Sequence, residues 1–287
     1  MNNIKYNPFP LAFEIQTASY CNAKCMICPH REVSKNLPNG IMEMDLFKKI
    51  IDQIDNPWGV KIIPYFNNEP FLDSLFIDRL NYIAEKCPEA EIEISSNVSL
   101  LNAKMQKKLI GIDIRDLRLS VFGFTKESHH SVMPGLDWNI VEKNLWLLAE
   151  NKELRQSIGQ VSIVMIDYSG IKKEDIELAK SFCKKHFIKF ELWGFFDRGK
   201  NVKDYSNDVY RDSVVGCEQR RQQERMHIIF DGRVVLCCMD WKLEYVLGNL
   251  NQQSIKEVWD SNEYQKIRKD IHDNNALELC KKCKLSY

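Results

Sequence analysis

Short apolar runs alternate along residues 11–193 with longer stretches in which apolar residues recur at helical spacing. Such alternation is typical of repeated βα units built on a parallel sheet. Each helical stretch carries one apolar stripe, as Met44, Phe47 and Ile51 illustrate. Periodicity alone fits a partial barrel and a doubly wound sheet equally well. The predicted strands lie at residues 12–17, 60–66, 91–96, 116–122, 160–166 and 189–194.

The apolar pattern changes after the sixth run, where a polar stretch over 197–210 predicts a linker. A β-hairpin is predicted next, because two apolar runs flank the turn dipeptide Asp231–Gly232. Loosely helical spacing follows the hairpin. The chain is therefore expected to form an α/β domain over 1–200 and a smaller domain over 201–287.

Composition narrows the class of protein. The chain has 287 residues, 44% of them hydrophobic and 28% charged, which are ordinary globular values. Its 40 basic and 40 acidic side chains cancel, which argues against a general nucleic-acid binder. No apolar run approaches the roughly 18 residues of a membrane span, and no signal-like segment opens the chain. We expect a cytoplasmic protein with no nucleic-acid or membrane partner.

Ten cysteines are many for a reducing compartment, where clustered thiolates more often hold metal than form disulfides. Cys21, Cys25 and Cys28 form C-x3-C-x2-C directly after the first predicted strand, where α/β folds place active-site loops. A structural zinc site normally has four protein ligands, whereas an iron-sulfur cluster held by three cysteines leaves one iron free. A zinc site completed by a residue such as His30 is the alternative.

The motif resembles that of the radical S-adenosylmethionine superfamily, which carries C-x3-C-x2-C after the first strand of a partial (β/α)6 barrel. All three cysteines match, and Ile27 stands where the family often has an aromatic residue. The resemblance implies a 4Fe-4S cluster on the three cysteines and S-adenosylmethionine on its open iron. It also implies cleavage of the cofactor to a 5′-deoxyadenosyl radical and a flavodoxin- or ferredoxin-type reductant.

Segments after the later strands are similar to this family's cofactor contacts. Asn67-Asn68-Glu69-Pro70 resembles Gly-Gly-Glu-Pro, with Asn, which tolerates left-handed backbone, in place of both glycines. A polar residue at a strand end more often caps a helix or forms a turn, and an arginine more often forms an exposed salt bridge. The predicted cofactor-binding residues are Asn67, Asn68, Glu69, Asn97, Ser120 and Arg198.

A second group of cysteines, Cys217, Cys237, Cys280 and Cys283, offers four ligands. Zinc and iron-sulfur fit their spacing equally. The order of Cys217, the Gly-x4-Cys hairpin, the segment VLGNL and the final C-x2-C is similar to the SPASM and shorter twitch extensions of radical enzymes. The additional cysteines of a full SPASM domain are absent, so the resemblance implies one auxiliary 4Fe-4S cluster.

Cys238 is singled out because neighbouring residues of a strand point to opposite faces. On a strand over 233–238, Cys238 would face away from a cluster bound by Cys237. A free cysteine is often a small buried hydrophobe. Alternatively, Cys238 donates a hydrogen atom to a substrate carbon radical, because a thiol S–H bond is weaker than an alkyl C–H bond. Radical epimerases resemble this arrangement.

The favoured function is therefore epimerisation of a sugar or cyclitol carbon, completed by Cys238. One alternative is two-electron dehydrogenation of a secondary alcohol, with the auxiliary cluster as electron acceptor. Others are peptide maturation by the same chemistry and a non-catalytic zinc protein. The basic tract over 218–225, with Arg221 and Arg225, is expected to be a charged surface face, with an acidic-substrate site as the alternative.

Overall fold

The computed structural model describes residues 6–202, 205 and 209–287. The strands are β1 (Ala12–Ile15), β2 (Lys61–Ile63), β3 (Glu91–Ser96), β4 (Ile114–Ser120), β5 (Ile158–Asp167), β6 (Lys189–Gly194), β7 (Arg225–Ile228), β8 (Arg233–Val235) and β9 (Val246–Asn249). The α-helices are α1 (His30–Val33), α2 (Met44–Ile51), α3 (Phe76–Lys86), α4 (Ala103–Leu109), α5 (Lys126–Val132), α6 (Trp138–Glu150), α7 (Lys152–Gln156), α8 (Lys173–His186), α9 (Arg221–Glu224), α10 (Ile255–Trp259), α11 (Asn262–His272) and α12 (Glu278–Lys281). None of the described helices is long and apolar enough to cross a membrane.

The first six strands run parallel in the spatial order β6-β5-β4-β3-β2-β1. A doubly wound sheet reverses its strand order at a switch point, whereas this order is consecutive throughout. The predicted partial (β/α)6 barrel is confirmed. Each strand end lies within three residues of its predicted position, and β2 stops at Ile63 because Pro64 has no N–H to donate.

Alternation along the strands separates a core face from an inner face. In β1, Phe13 and Ile15 are fully buried in the hydrophobic core, while Glu14 points to the opposite side. In β3, Ile94 packs in the core and Glu93 points inward. The inner face of the barrel therefore carries charged side chains.

The C-terminal strands extend the barrel sheet. Strand β7 pairs in parallel with β1, and β8 and β9 follow antiparallel, which gives one nine-stranded sheet among the described residues. The predicted linker over 197–210 includes residues 203–204 and 206–208, which lie outside the described residues. The division of the chain at residue 200 stays a prediction.

The hairpin is shorter than predicted. Strand β8 ends at Val235, so Cys237 and Cys238 do not lie on a strand and the expected strand over 233–238 is wrong there. The chain turns at this point because the amide of Asp240 donates to the carbonyl of Cys237 at 3.0 Å. The carboxylate of Asp240 then accepts from the amides of Glu244 and Tyr245 at 2.9 Å each, which fixes the turn.

Candidate functional site

A cavity of about 500 Å³ lies at the carboxyl ends of the barrel strands. Loops and strand ends at this side of a β/α barrel carry its active site. The loop after β1 contributes the three N-terminal cysteines, and the C-terminal extension contributes Arg221, Arg225, Cys238 and Trp241. Both parts of the chain thus form one cavity.

The loop that carries Cys21, Cys25 and Cys28 is held against the end of α5 and the residues that follow it. The amide of Lys24 donates to the carbonyl of Pro134 at 2.7 Å, and the amide of Met26 donates to that of Val132 at 2.9 Å. All three cysteines line the cavity. The structure therefore brings the predicted three-thiol set together at the predicted place.

Burial and mutual charge shift the pKa values of these thiols upward. Burial, then the charge of Glu69, raises the pKa of Cys21 to about 12. The pKa of Cys25 rises well above its usual range through burial and the proximity of Cys28 and Cys21. Close, buried thiols of this kind become thiolates only beside strong positive charge, which suits an iron-sulfur cluster.

Glu69 lies beside the start of this loop, where its amide donates to the carbonyl of Tyr20 at 2.9 Å, and its carboxylate is oriented by hydrogen bonds. Its Oε2 accepts from the amide of Asn97 at 2.7 Å, and its Oε1 accepts from the hydroxyl of Ser96 at 2.8 Å. Burial raises the pKa of Glu69 to about 7. The Asn97 side chain donates in turn to Asn22 at 2.8 Å, which ties the carboxylate to the cysteine loop.

The other predicted cofactor-binding residues, Asn67, Asn68, Ser120 and Arg198, also line the cavity. Asn68 Oδ1 accepts from the amide of Phe66 at 2.9 Å, and neither Asn67 nor Asn68 has left-handed backbone, contrary to the expectation for this turn. The side-chain nitrogen of Asn68 is buried without a hydrogen-bond partner among the described residues. Such an orphaned donor suits a bound polar ligand, as the expected cofactor would be.

Sequence reasoning missed the charged residues of the inner face. Glu93 accepts from the hydroxyl of Tyr65 at 3.0 Å, pairs with Lys61 at 3.2 Å and accepts from the guanidinium of Arg118. Glu14 pairs with Arg225 at 3.1 Å. The sequence did carry a signal for these residues, because charged residues alternate with apolar ones along the strands. Such alternation is expected only where one face of the sheet meets solvent or a polar barrel interior.

A buried group of three side chains closes the cavity beside the C-terminal extension. The ligating atoms of Glu14, His227 and Cys238 lie within 4.8 Å of one another. Burial alone would lower the pKa of His227, but the charge of Glu14, whose Oε1 lies 3.4 Å from His227 Nε2, and the neighbouring Cys238 thiol outweigh burial and raise that pKa. Because Arg221 and Arg225 already pair with Glu14, this group favours a thiol beside an ion-paired carboxylate over a bound cation.

The four C-terminal cysteines line a second, mostly apolar cavity. The chain end lies antiparallel beside the segment of Cys217, with a bridge from Cys217 to Ser286. The amide of Cys283 donates to the carbonyl of Cys280 at 3.0 Å. Burial, then the charges of Cys283 and Cys217, raises the pKa of Cys280 to about 12. Four converging thiols with no open position suit a closed auxiliary cluster.

The basic tract over 218–225 is only partly a surface face. Arg220 is exposed, as expected, but the side chain of Arg221 is 12% exposed and pairs with Glu14 at 3.3 Å. The tract turns inward because the amides of Gln223 and Glu224 both donate to the carbonyl of Arg220, which begins a short helix.

Two family models match the chain. That of the Radical SAM superfamily matches residues 15–183. That of the SPASM iron-sulfur cluster-binding domain matches residues 217–284. A curated relative, the S-adenosyl-L-methionine-dependent 2-deoxy-scyllo-inosamine dehydrogenase of Niallia circulans, is 22% identical over 94% of this chain and 91% of its own length.

Solved structures share the fold. The crystal structure of BtrN in complex with AdoMet and 2-DOIA gives a TM-score of 0.64 at 19% identity, over 96% of this chain and 93% of that one. The crystal structure of Streptococcus suis SuiB bound to the precursor peptide SuiA gives a TM-score of 0.74 at 16% identity, over 92% of this chain and 67% of that one. Because the superfamily match spans more than half of the chain, this protein belongs to the radical SAM superfamily, with S-adenosylmethionine, a 4Fe-4S cluster and an auxiliary iron-sulfur cluster as its cofactors.

Proposed function

We propose that this radical SAM enzyme epimerises a carbon of a hydroxylated small molecule of the sugar or cyclitol class, with Cys238 as the hydrogen-atom donor. The observation that carries the proposal is the position of Cys238. Its thiol is buried, lines the same cavity as Cys21, Cys25 and Cys28, and lies apart from the cavity of the auxiliary cysteines.

The cofactors are assigned to residues as follows. Cys21, Cys25 and Cys28 would hold the 4Fe-4S cluster, and Glu69, with the lining residues Asn67, Asn68, Asn97, Ser120 and Arg198, would hold S-adenosylmethionine. Cys217, Cys237, Cys280 and Cys283 would hold the auxiliary cluster. When bound, S-adenosylmethionine supplies the radical chemistry that removes one hydrogen atom from a substrate C–H bond.

Cys238 would complete the reaction by returning a hydrogen atom to the opposite face of the substrate carbon. The S–H bond breaks, the new C–H bond forms, and the substrate keeps its oxidation level. The resulting thiyl radical takes up one electron, from a low-potential carrier of the flavodoxin or ferredoxin type, and one proton. His227 is placed to deliver that proton, because its ring lies within 4.8 Å of the Cys238 thiol and its protonated form is stabilised by Glu14.

The polar lining supports a hydroxylated substrate. Glu14 with Arg225, and Glu93 with Arg118, place carboxylate acceptors beside guanidinium donors on the inner face. Neighbouring hydroxyl groups both donate and accept, so they can pair with both members of such an arrangement. The cavity volume of about 500 Å³ lies in the range of small-molecule sites.

The second candidate is dehydrogenation of a secondary alcohol. It is favoured by the curated relative, which is named for the dehydrogenation of 2-deoxy-scyllo-inosamine, and by the neighbour bound to 2-DOIA. This reaction removes two hydrogens, leaves a ketone and needs no hydrogen returned by Cys238. A peptide substrate, as in the SuiB structure, is the third.

The mass of the product relative to that of the substrate distinguishes epimerisation from dehydrogenation. The reconstituted enzyme is incubated anaerobically with S-adenosylmethionine, a low-potential reductant and a panel of aminocyclitols, sugars and short peptides. An isomer of unchanged mass supports epimerisation, and Cys238→Ala should then abolish it while 5′-deoxyadenosine still forms. Cys183→Ala is the matched control, because Cys183 is another buried free thiol, located on α8. A product two hydrogens lighter, made equally by Cys238→Ala, would establish dehydrogenation instead.

A further inference from the structure

Arg221 lies in the wall between the two cysteine-lined cavities. Of the described residues that line either cavity, Arg221 alone lines both. On one side it meets Glu14 and Cys238, and on the other it lies beside Cys217 and Cys237. A cationic side chain at this position is in reach of the auxiliary cluster and of the active-site cavity at once.

The guanidinium is held by few protein partners. Nη1 donates to Glu14 Oε1 at 3.3 Å, and Nη2 donates to Gln219. Nε is buried and has no hydrogen-bond partner in the part of the chain that the structure describes. Burial alone would lower the pKa of Arg221, but the charges of Cys238, Glu14 and Cys237 outweigh burial and raise it. The side chain thus keeps its positive charge in the lining of the auxiliary cavity, with one donor that has no partner among the described residues.

We propose that Arg221 is a positioning residue that raises the reduction potential of the auxiliary cluster. Reduction adds one negative charge to a cluster that four thiolates already make negative. A fixed positive charge nearby stabilises the reduced form more than the oxidised form, and burial weakens the screening by water. Net charge and hydrogen bonds to the sulfurs are known determinants of cluster potentials.

Glu14 reduces the effect of Arg221 on the potential of the auxiliary cluster. Its carboxylate pairs with Arg221 at 3.3 Å and with Arg225 at 3.1 Å, so it offsets part of the positive charge of both. Arg225 lines the active-site cavity but does not line the auxiliary cavity. The inference rests on the auxiliary cluster and not on the fate of the substrate radical, so it stands whichever product the enzyme forms.

The test is anaerobic redox titration of the holoenzyme, with electron paramagnetic resonance to follow each cluster. The radical SAM cluster, identified by its spectral change on addition of S-adenosylmethionine, serves as the internal reference. Arg221→Gln should shift the midpoint potential of the auxiliary cluster to a more negative value. Arg221→Lys, which keeps the positive charge, should leave the potential close to the wild-type value. The matched control is Arg225→Gln, which also removes a guanidinium from Glu14 and should leave a much smaller shift.

Glu14→Gln provides a second test of opposite sign. It keeps Arg221 but removes its counter-charge, so the auxiliary potential should rise. If Arg221→Gln does not retain the auxiliary cluster, the midpoint potential of that cluster in Glu14→Gln still tests the inference. Equal shifts in Arg221→Gln and Arg225→Gln, or no rise in Glu14→Gln, would overturn the inference. Because no substrate is used, failure here is distinguishable from failure of the proposed epimerisation.

Discussion

Cys237 and Cys238 are adjacent in the chain but line different cavities. Cys237 faces the auxiliary cavity with Cys217, Cys280 and Cys283, whereas Cys238 faces the barrel cavity. The two side chains diverge at a turn after β8, not by alternation along a strand. The expected separation is therefore present, although its structural cause differs from the expected one.

This divergence predicts different metal contents for two neighbouring variants. Cys237→Ala should lower the iron content of the anaerobically reconstituted protein from about eight to about four per chain, because one 4Fe-4S cluster is lost. Cys238→Ala should keep about eight. Iron is quantified together with protein and zinc. Equal iron loss in both variants would place Cys238 among the auxiliary ligands, and zinc at about one equivalent would make the second site structural.

Glu69→Gln should weaken the binding of S-adenosylmethionine without loss of iron. The buried carboxylate is fixed by the amide of Asn97 and the hydroxyl of Ser96. The resemblance of its segment to Gly-Gly-Glu-Pro implies that it binds the ammonium group of the cofactor. Loss of a charged hydrogen bond costs about 1.5–3 kcal/mol, which is roughly a 10- to 150-fold higher Kd. Calorimetry on the holoenzyme with its clusters oxidised, so that the cofactor is not cleaved, measures it. Glu93→Gln is the control, because that carboxylate pairs with Arg118, and an unchanged Kd in Glu69→Gln would remove the assignment.

The buried pair of Asp73 and Arg79 should be essential for stability. Both side chains are fully buried, Arg79 Nε lies 2.7 Å from Asp73 Oδ2, and Arg79 also donates to the carbonyl of Met42. Asp73→Ala leaves an unpaired buried charge and should lower the free energy of unfolding by about 3–5 kcal/mol. Urea denaturation measures the change. Lys180→Ala, which breaks the exposed pair with Glu177, should cost less than about 1 kcal/mol.

His129 should make the protein less stable at mildly acidic pH. It is fully buried against Trp138, and burial lowers its pKa to about 4. The unfolded chain therefore binds a proton that the folded protein excludes, and stability falls as the pH drops from about 6.5 to about 4. Between pH 7 and pH 5 the loss from this residue should be about 1–2 kcal/mol. His129→Leu should show a correspondingly flatter pH dependence in urea denaturation, and equal slopes would contradict the assignment.

Local patterns were sufficient to predict the barrel and its cysteine loop. Each βα unit carries its own periodicity, and the order of strands in such a barrel follows the order in the chain. The C-terminal contribution to the cavity was not predictable, because it depends on the parallel pairing of β7 with β1. That pairing joins Glu14 to His227, more than two hundred residues apart, and no local pattern specifies it.

Boundaries and inner charges were also missed for physical reasons. Strand β9 has four residues and contains Gly248, so its apolar pattern is too short to be distinctive. The loosely helical spacing after the hairpin covers two helices, α10 and α11, because Ser261 caps the second one by accepting from the amide of Tyr264. Arg221 resembled its exposed neighbours in sequence, and only the sheet pairing turns it towards Glu14.

Deuterium labelling shows whether Cys238 returns a hydrogen atom to the substrate, as we propose. Thiol hydrogens exchange with solvent, so turnover in deuterated water should place one deuterium at the inverted carbon of the product. Cys238→Ala should form 5′-deoxyadenosine but no deuterated epimer. A product two hydrogens lighter and free of solvent deuterium, formed at the same rate by the wild-type enzyme and Cys238→Ala, would contradict the claim.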